Sequence, residues 1–461
     1  MPSHVDSVRD DRLLAVEAFL LGLFASTNVI YVFSIGNTPV FVSYIIAILI
    51  LIHLVISKGR ALAASSWMLS KSVVAFTVVA LLSILLTQLY AINGTLDDDA
   101  LVTVLKGFVS LFAGLAIYAA AGFVSGDLAP ITKGLTFGLV GNIVACALQI
   151  FSFNRGGYFS LAGMFPQTAF YVSVPWGVAY PTDALPLYAP RAQGLFLEAS
   201  HMMAFMVCLV PLIVRSCSSH YGKAIVILGT AFCVANASSA NTAIFAIEIL
   251  ILIAFFAMTS KRRGSLSRLR MGRPAIFTVI IIMGIAAIAL VMNGGVLTDL
   301  TASVAQAFAD ANVTTSTDTG TIDRWRAMTS SIDAMQAFPL GAGWNTESMV
   351  LAGITKGSYI SSHSYLIRLM IELGPAGVIA FLFMIGQHVR KAARIGGVDG
   401  AILVIAVVFA AIVMFANGIS PQPWFWLLLG LVNGRSRATA RVESDERAPH
   451  PVPATASALV R

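Results

Sequence analysis

Three side chains with phosphate-binding or proton-transfer chemistry stand in or beside long polar stretches of an otherwise apolar chain: Arg191, Arg324 and His363. An arginine presents a planar guanidinium that matches phosphate oxygens and stays charged at physiological pH. A histidine titrates near neutrality and can take a proton from a hydroxyl nucleophile. Two guanidinium groups and one such base are typical of transfer from a pyrophosphate-bearing donor. Each residue also has an ordinary explanation, namely snorkelling to lipid phosphates for Arg191, solvation for Arg324 and a structural role for His363.

Two further charged residues lie at or within apolar runs, where a charge is costly and usually marks a functional site. Glu198 follows Arg191 by seven residues, near the predicted start of a helix. Both side chains could approach one polar chamber, the arginine binding an anion and the glutamate handling a hydroxyl. Lys106 lies in the outer part of a predicted span, where it either snorkels outward or lies beneath a pyrophosphate, and the sequence does not choose between these.

A run of three acids, Asp97 to Asp99, offers an alternative site, because paired acids in a loop bind metal or act as a base in some enzymes. No other candidate ligand residue stands nearby in the sequence. A solvated loop is therefore the interpretation that we prefer, and the sequence predicts no metal site.

Composition and run length define the fold class. The chain has 461 residues, of which 57% are hydrophobic and 11% charged, whereas charged residues make up about a quarter of soluble domains. Apolar runs of about 20 residues can each cross a hydrocarbon core about 30 Å thick. We therefore predict an all-α polytopic membrane protein with about twelve transmembrane helices, near residues 13–33, 38–57, 71–92, 101–125, 131–152, 196–215, 222–238, 241–259, 275–294, 364–386, 399–418 and 421–433.

The positive charges predict the topology. If Arg9 and Arg12 lie inside, then counting crossings places every basic cluster between the runs on that same side, as cytoplasmic loops require. This placement accounts for the net charge of +7 without nucleic-acid binding. Two long connections, about 153–195 and 295–362, then lie on the outer face. The membrane domain spans 1–433, and the charged tail 434–461 is predicted to be disordered and cytoplasmic.

The order of the motifs resembles the O-antigen ligase and Wzy-type polymerase superfamily. The resemblance rests on Arg324, the bend Pro339-Leu-Gly-Ala-Gly343, the segment His363-Ser-Tyr-Leu366 and the segment Glu372-Leu-Gly-Pro-Ala-Gly377, with a companion motif from Arg191 to Ser200 before the sixth span. The chain departs from the family pattern at three places. The bend is one residue shorter, Ser364 replaces the usual asparagine, and Ala199 replaces a common proline.

The resemblance implies a GT-C-like, metal-independent enzyme without a cofactor, in the bacterial inner membrane with its active site facing the periplasm. It would transfer a glycan from undecaprenyl pyrophosphate to an acceptor hydroxyl with inversion, and flippase and chain-length regulator proteins are possible partners. Arg191 and Arg324 would bind the pyrophosphate and His363 would activate the hydroxyl. Residues with a predicted role beside these are Glu198, in the catalytic set, and Arg326, Gly341, Gly343, Tyr365 and Lys106, in substrate binding.

Within the superfamily, the Glu198-x-Ser200 element favours a polymerase of O-antigen or exopolysaccharide repeat units over a ligase that transfers glycan to lipid A core. A polysaccharide or lipid transporter, from a different class, has the same composition and span count, and a non-catalytic assembly subunit remains open. The observation that separates these classes is whether Arg191, Arg324 and His363 meet in one outward cavity.

Overall fold

The computed structural model describes residues 4–28, 30–35, 38–64, 69–97, 99–126, 128–153, 192–196, 198–237, 244–245, 247–252, 319–355, 362, 364–418 and 420–447. The helices of this part are α1 (His4–Ala25), α2 (Val42–Ala64), α3 (Lys71–Ile92), α4 (Ala100–Val124), α5 (Ala129–Phe153), α6 (Ala199–Ser216), α7 (His220–Ala237), α8 (Thr319–Ala337), α9 (Glu347–Ile354), α10 (Tyr365–Ile395), α11 (Gly397–Asn417) and α12 (Pro423–Arg447). Strands β1 (Tyr31–Ile35) and β2 (Thr38–Phe41) form an antiparallel hairpin.

The helices confirm the predicted class of an all-α polytopic membrane protein. Six of them are long and apolar enough to cross a membrane, namely α3 to α6, α10 and α11, and α2 contains a shorter apolar segment. The ends of α3, α4, α5, α6 and α11 agree with the predicted runs to within three residues, and α3 coincides with the run 71–92. Two helices extend further than predicted, since α2, predicted over 38–57, continues to Ala64 and α10, predicted over 364–386, continues to Ile395. The predicted span 275–294 and most of the span 241–259 lie outside the described residues, so the total of twelve stays a prediction.

Two predictions at the ends of the chain need correction. The first helix, predicted over 13–33, begins at His4 and ends at Ala25, and the following apolar residues pair as the hairpin of β1 and β2. The last helix, predicted to end at 433, continues to Arg447. The first part of the tail that we predicted to be disordered is therefore helical, whereas residues 448–461 lie outside the described part.

Glycines allow two helix pairs to approach at backbone distance, as is common between membrane helices. An added Cβ on Gly134 of α5 would lie 2.8 Å from the backbone nitrogen of Leu23 on α1. An added Cβ on Gly430 of α12 would lie 2.8 Å from the Cβ of Ala121 on α4. These two close contacts help to fix α1 against α5 and α4 against α12.

The helices alternate in direction, so the bundle has two ends. We call the loop end the one where α1 and α3 finish and where α4, α6, α10 and α12 begin. The opposite, basic end holds the connections α4–α5, α6–α7 and α10–α11, each of at most four residues, and the cations that end α10. Contacts between remote segments agree with this arrangement. At the loop end the backbone nitrogen of Asn28 donates to the Leu195 carbonyl, and at the basic end Arg215 pairs with Asp399.

Candidate functional site

The segment from Phe338 to Thr346 enters the helix bundle instead of remaining at its surface. Its ring and backbone contacts follow α3 inward: the ring of Phe338 lies 5.0 Å from that of Tyr90, and the backbone nitrogen of Trp344 donates to Ser83 Oγ at 3.0 Å. Ser83 lies nine residues before the end of α3, about 13 Å along the helix axis. The last part of the long connection predicted as an outer loop is therefore a re-entrant segment.

This segment docks onto a break in α10. Gly374 has φ +63 and ψ −163, which no helix contains, and the next residue, Pro375, has no N–H to give to the carbonyl of Ile371. The amide nitrogens of Ala342 and Gly343 donate instead to the carbonyls of Ile371 and Glu372, both at 2.8 Å. Backbone groups freed at the break are thus satisfied by the re-entrant segment, as an apolar environment requires.

Two glycines make this docking possible. An added Cβ on Gly341 would lie 2.6 Å from the Glu372 carbonyl oxygen and from the Gly374 nitrogen. An added Cβ on Gly374 would lie 2.6 Å from the carbonyl carbon of Leu340. Both glycines also have positive φ, which other residues adopt only with strain. Gly341 and Gly374, which belong to two separate sequence motifs, therefore lie in one contact between the re-entrant segment and α10.

The break bends α10 sharply. Tyr365 and Phe381 are sixteen residues apart, which is about 24 Å along a straight helix, yet their ring centroids lie only 5.2 Å apart. Tyr365 is fully buried, and in the described part of the chain its hydroxyl has no hydrogen-bond partner. We predicted Tyr365 as a substrate-binding residue, but the structure places its ring in the core, because the bend folds it against Phe381.

Charged and polar side chains meet where the re-entrant segment touches the first half of α10. Arg368 Nε donates to Glu372 Oε1 at 2.8 Å, and its Nη2 donates to Asn345 Oδ1 at 3.1 Å. Glu347 Oε2 lies 3.7 Å from Arg368 Nε, and Glu347 Oε1 accepts the Ser362 amide hydrogen at 2.8 Å. We call Asn345, Glu347, Arg368 and Glu372 the charge cluster.

The charge cluster is largely shielded from solvent. The side chain of Glu372 is 0% exposed, that of Glu347 7% and that of Arg368 21%. Glu372 Oε2 has no hydrogen-bond partner among the described residues. Two carboxyl groups face one guanidinium, so Arg368 is already neutralised and is poorly suited to bind a phosphate. The arrangement suits positioning of the Asn345 side chain and of the backbone at Ser362.

A second polar group joins the loop-end starts of α6 and α12 to the end of α1. The side-chain nitrogen Nδ2 of Asn28 donates to Gln422 Oε1 at 3.2 Å and lies 3.2 Å from His201 Nδ1. An amide nitrogen can only donate, so Nδ1 accepts and the neutral ring carries its proton on Nε2. Glu198 is exposed at the N-cap of α6 and accepts from Ser200 Oγ at 3.0 Å. Its approach to one polar chamber together with Arg191 stays a prediction.

The three residues with the strongest predicted chemistry are not positioned by the described part of the structure. Arg191 and His363 lie outside the described residues. Arg324 and Arg326 fall in α8, but their side chains also lie outside the description. Whether Arg191, Arg324 and His363 share one cavity therefore stays a prediction.

The remaining predicted residues are placed. Gly343, like Gly341, packs against other chain segments, since an added Cβ would lie 3.0 Å from Val104 Cγ2. Lys106 is half-buried on α4, one residue before Gly107, which contacts Trp344 and Asn345 of the re-entrant segment. Asp97 and Asp99 are exposed, in agreement with a solvated loop.

Asn345, Glu347, Arg368 and His201 were not predicted as site residues from the sequence, in which only Glu372 of the charge cluster belongs to a motif. One signal was available, because Arg368 and Glu372 are four residues apart and therefore face each other on a helix. No spacing pattern predicted that Glu347 and Asn345 approach Arg368, because the path of the segment that carries them does not follow from helical periodicity.

Comparison with known proteins supports the motif argument. The family model described as O-antigen ligase matches residues 224–382, which include the re-entrant segment and the broken part of α10. No curated protein matches the chain. The resemblance to the O-antigen ligase and Wzy-type polymerase superfamily is thus confirmed over 159 of the 461 residues, and this chain is similar to the O-antigen ligase family from residue 224 to residue 382.

Proposed function

We propose that this protein is a membrane glycosyltransferase that joins undecaprenyl-pyrophosphate-linked oligosaccharide repeat units into an O-antigen or exopolysaccharide. The observation that carries the proposal is that the O-antigen ligase match covers the re-entrant segment, the break in α10 and the charge cluster together. The reaction would take place at the periplasmic face of the inner membrane, with both termini cytoplasmic, without metal and with inversion.

The proposed roles divide between the loops and the bundle. Arg191 and Arg324 would neutralise the pyrophosphate that leaves, a kind of charge stabilisation that often dominates catalysis. His363 would take the proton from the acceptor hydroxyl. Glu347 supports this role, because its carboxylate holds the amide of Ser362, the residue directly before His363 in sequence. Glu198 remains a candidate for the catalytic set, and Arg326 and Lys106 remain candidates for substrate binding.

Supply of the donor follows from the membrane location. A polyprenyl chain partitions into the bilayer, so the donor can reach the loop end laterally and affinity need not come from the head group alone. The head group then needs a polar region near the membrane surface, and Arg368 and Glu372 of the charge cluster lie within the first eight residues of α10, at the loop end. Glu198 and the polar group of Asn28, His201 and Gln422 lie at the same end of the bundle and are candidates to bind the acceptor.

Two other functions have specific support. The matching family model is described as O-antigen ligase, which favours transfer of the glycan to lipid A core. The broken helix α10 favours a transporter, because transporters place substrates at discontinuous helices. We prefer the polymerase to the ligase because the element Glu198-x-Ser200 resembles the polymerase branch. We prefer an enzyme to a transporter because the matching family model is described as a ligase.

Reconstitution of the purified protein with the lipid-linked repeat units separates the three functions. Product length is read on a gel, first with donor alone and then with lipid A core added. We expect a ladder of products from donor alone. Product that forms only with lipid A core would replace the polymerase by a ligase, and movement of the donor across the bilayer without product would support a transporter.

A further inference from the structure

Three cations meet between α10 and α12 at the basic end of the bundle. The half-buried Lys391 donates from Nζ to Asn433 Oδ1 at 2.7 Å, which joins the two helices. Arg394 follows Lys391 by three residues on α10, and Arg437 follows Asn433 by four residues on α12, so each lies on the same helix face as its neighbour. Both arginines lie within electrostatic range of Lys391.

One carboxylate at this end, that of Asp399, is already engaged by other cations. Asp399, at the start of α11, lies 3.1 Å from Arg215 Nε and 3.9 Å from Arg435 Nη2. Among the residues that the structure describes, Lys391 and Arg394 form no ion pair with a carboxylate. The positive charges of Lys391 and Arg394 therefore lie beside Asn433 without an ion-paired carboxylate among the described residues.

A general preference for cations on the cytoplasmic side does not by itself explain this arrangement. That preference is met by exposed side chains such as Lys133 on α5. Lys391 is instead half-buried, with its ammonium held between two helices beside two guanidinium groups. Bringing like charges together is unfavourable unless an anion offsets their repulsion.

The surface beside the cations is suited to acyl chains. Ile379 and Phe383 on α10 are 66% and 50% exposed. Phe383 precedes Arg394 by eleven residues, close to three helical turns, so the apolar stripe leads along one face of α10 to the cations. An anion bound here can therefore carry hydrocarbon chains that lie against the helix.

We propose that Lys391, Arg394 and Arg437 bind the phosphate of an anionic phospholipid. The ammonium supplies a point charge and the guanidinium groups supply paired N–H donors, which is the combination that phosphate oxygens accept. Polybasic clusters at the ends of membrane helices attract anionic headgroups in this way. The lipid would stabilise the packing of α10 on α12, the helix pair to which the site already described is attached.

Lipid-dependent thermal unfolding of the full chain tests this site. The purified protein in neutral detergent receives phosphatidylglycerol or phosphatidylcholine with the same acyl chains, and Tm is measured. We expect phosphatidylglycerol to raise Tm by several degrees more than phosphatidylcholine. The double variant Lys391→Met/Arg394→Gln should lose this difference, whereas the control Lys133→Ala, an exposed cation on a helix that packs against α1, α6 and α7, should keep it.

Three results would overturn the proposal: an equal rise with both lipids, a difference that survives in the double variant, or the same rise with millimolar inorganic phosphate, which would indicate a soluble-anion site. The single variant Arg394→Gln keeps the test valid if the double variant does not fold, because the Arg394 side chain is exposed. Native mass spectrometry of that folded variant counts bound phosphatidylglycerol directly. We expect fewer bound lipids than in Lys133→Ala, and equal numbers would contradict the site.

Discussion

The carboxylate of Glu372 has no exposed surface, and the guanidinium of Arg368, 2.8 Å away, is its nearest charged partner. Such a pair adds little stability compared with apolar residues, but removal of one member leaves an uncompensated buried charge. Because Arg368 also holds Asn345 and approaches Glu347, its loss would leave two acids without a cation. The charge cluster is therefore a point at which stability and the path of the re-entrant segment depend on one side chain.

Arg368→Ala should lower the free energy of unfolding by about 3–5 kcal/mol, the usual cost of breaking a buried ion pair on one side. Thermal unfolding in detergent provides the measurement, with Lys133→Ala as the control for loss of an exposed cation. Glu372→Gln should cost less, because the amide oxygen still accepts from Arg368 and Glu347 remains nearby. If Arg368→Ala unfolds at the same temperature as Lys133→Ala, the charge cluster does not stabilise the bundle.

Residue chemistry was predictable from the sequence only where it follows helix spacing. The pairing of Arg368 with Glu372 can be read from their separation of four residues. The burial of Tyr365 could not be read, because it results from a bend that brings the ring back onto Phe381. The motif suggested a site residue, and the tertiary contact made it a core residue.

Among the elements, α10 and the re-entrant segment depend on each other. The helix break at Gly374 frees two carbonyls, and the amides of Ala342 and Gly343 satisfy them. Gly341 and Gly374 leave no room for a side chain at the contact. Neither element would keep its conformation without the other, so the position of Asn345 and the charge cluster follows from this one joint.

Gly341→Ala should therefore destabilise the protein by about 2–4 kcal/mol, since the new Cβ meets the Glu372 carbonyl and φ is +93. Glycan transfer should fall with it, because the charge cluster shifts. The matched control is Gly386→Ala on the same helix, where an added Cβ meets nothing within 4 Å. Gly386→Ala should be neutral or more stable by up to about 1 kcal/mol. Equal behaviour of the two variants in thermal unfolding and transfer would contradict the joint.

Helix positions were predictable because run length is a local property of a membrane chain. The run 71–92 and α3 coincide, and most other ends agree within a few residues. The hairpin of β1 and β2 was missed, since its apolar residues continue the composition of the first run. The extension of α12 to Arg447 was missed because its charged residues are also typical of disorder. The joint between Gly341 and Gly374 connects segments too far apart for any local pattern.

In the part of the molecule that the structure describes, different polar and charged groups lie at the two ends of the helix bundle. The loop end holds the re-entrant segment, the charge cluster and the polar group around Asn28 and His201. The basic end holds Lys391 and its neighbouring arginines. This asymmetry agrees with the two proposals, glycan transfer at the loop end and a bound anionic phospholipid at the basic end.

The most direct test of the central claim is the rate of glycan transfer by Arg191→Ala and Arg324→Ala in reconstituted membranes. Loss of a group that stabilises charge in the transition state costs about 10²–10³ in rate. We predict a loss of this size for each variant, with the protein still inserted and with a chelator without effect, whereas Lys133→Ala keeps the wild-type rate. Wild-type transfer by Arg191→Ala or Arg324→Ala would contradict the claim that these arginines neutralise a departing pyrophosphate.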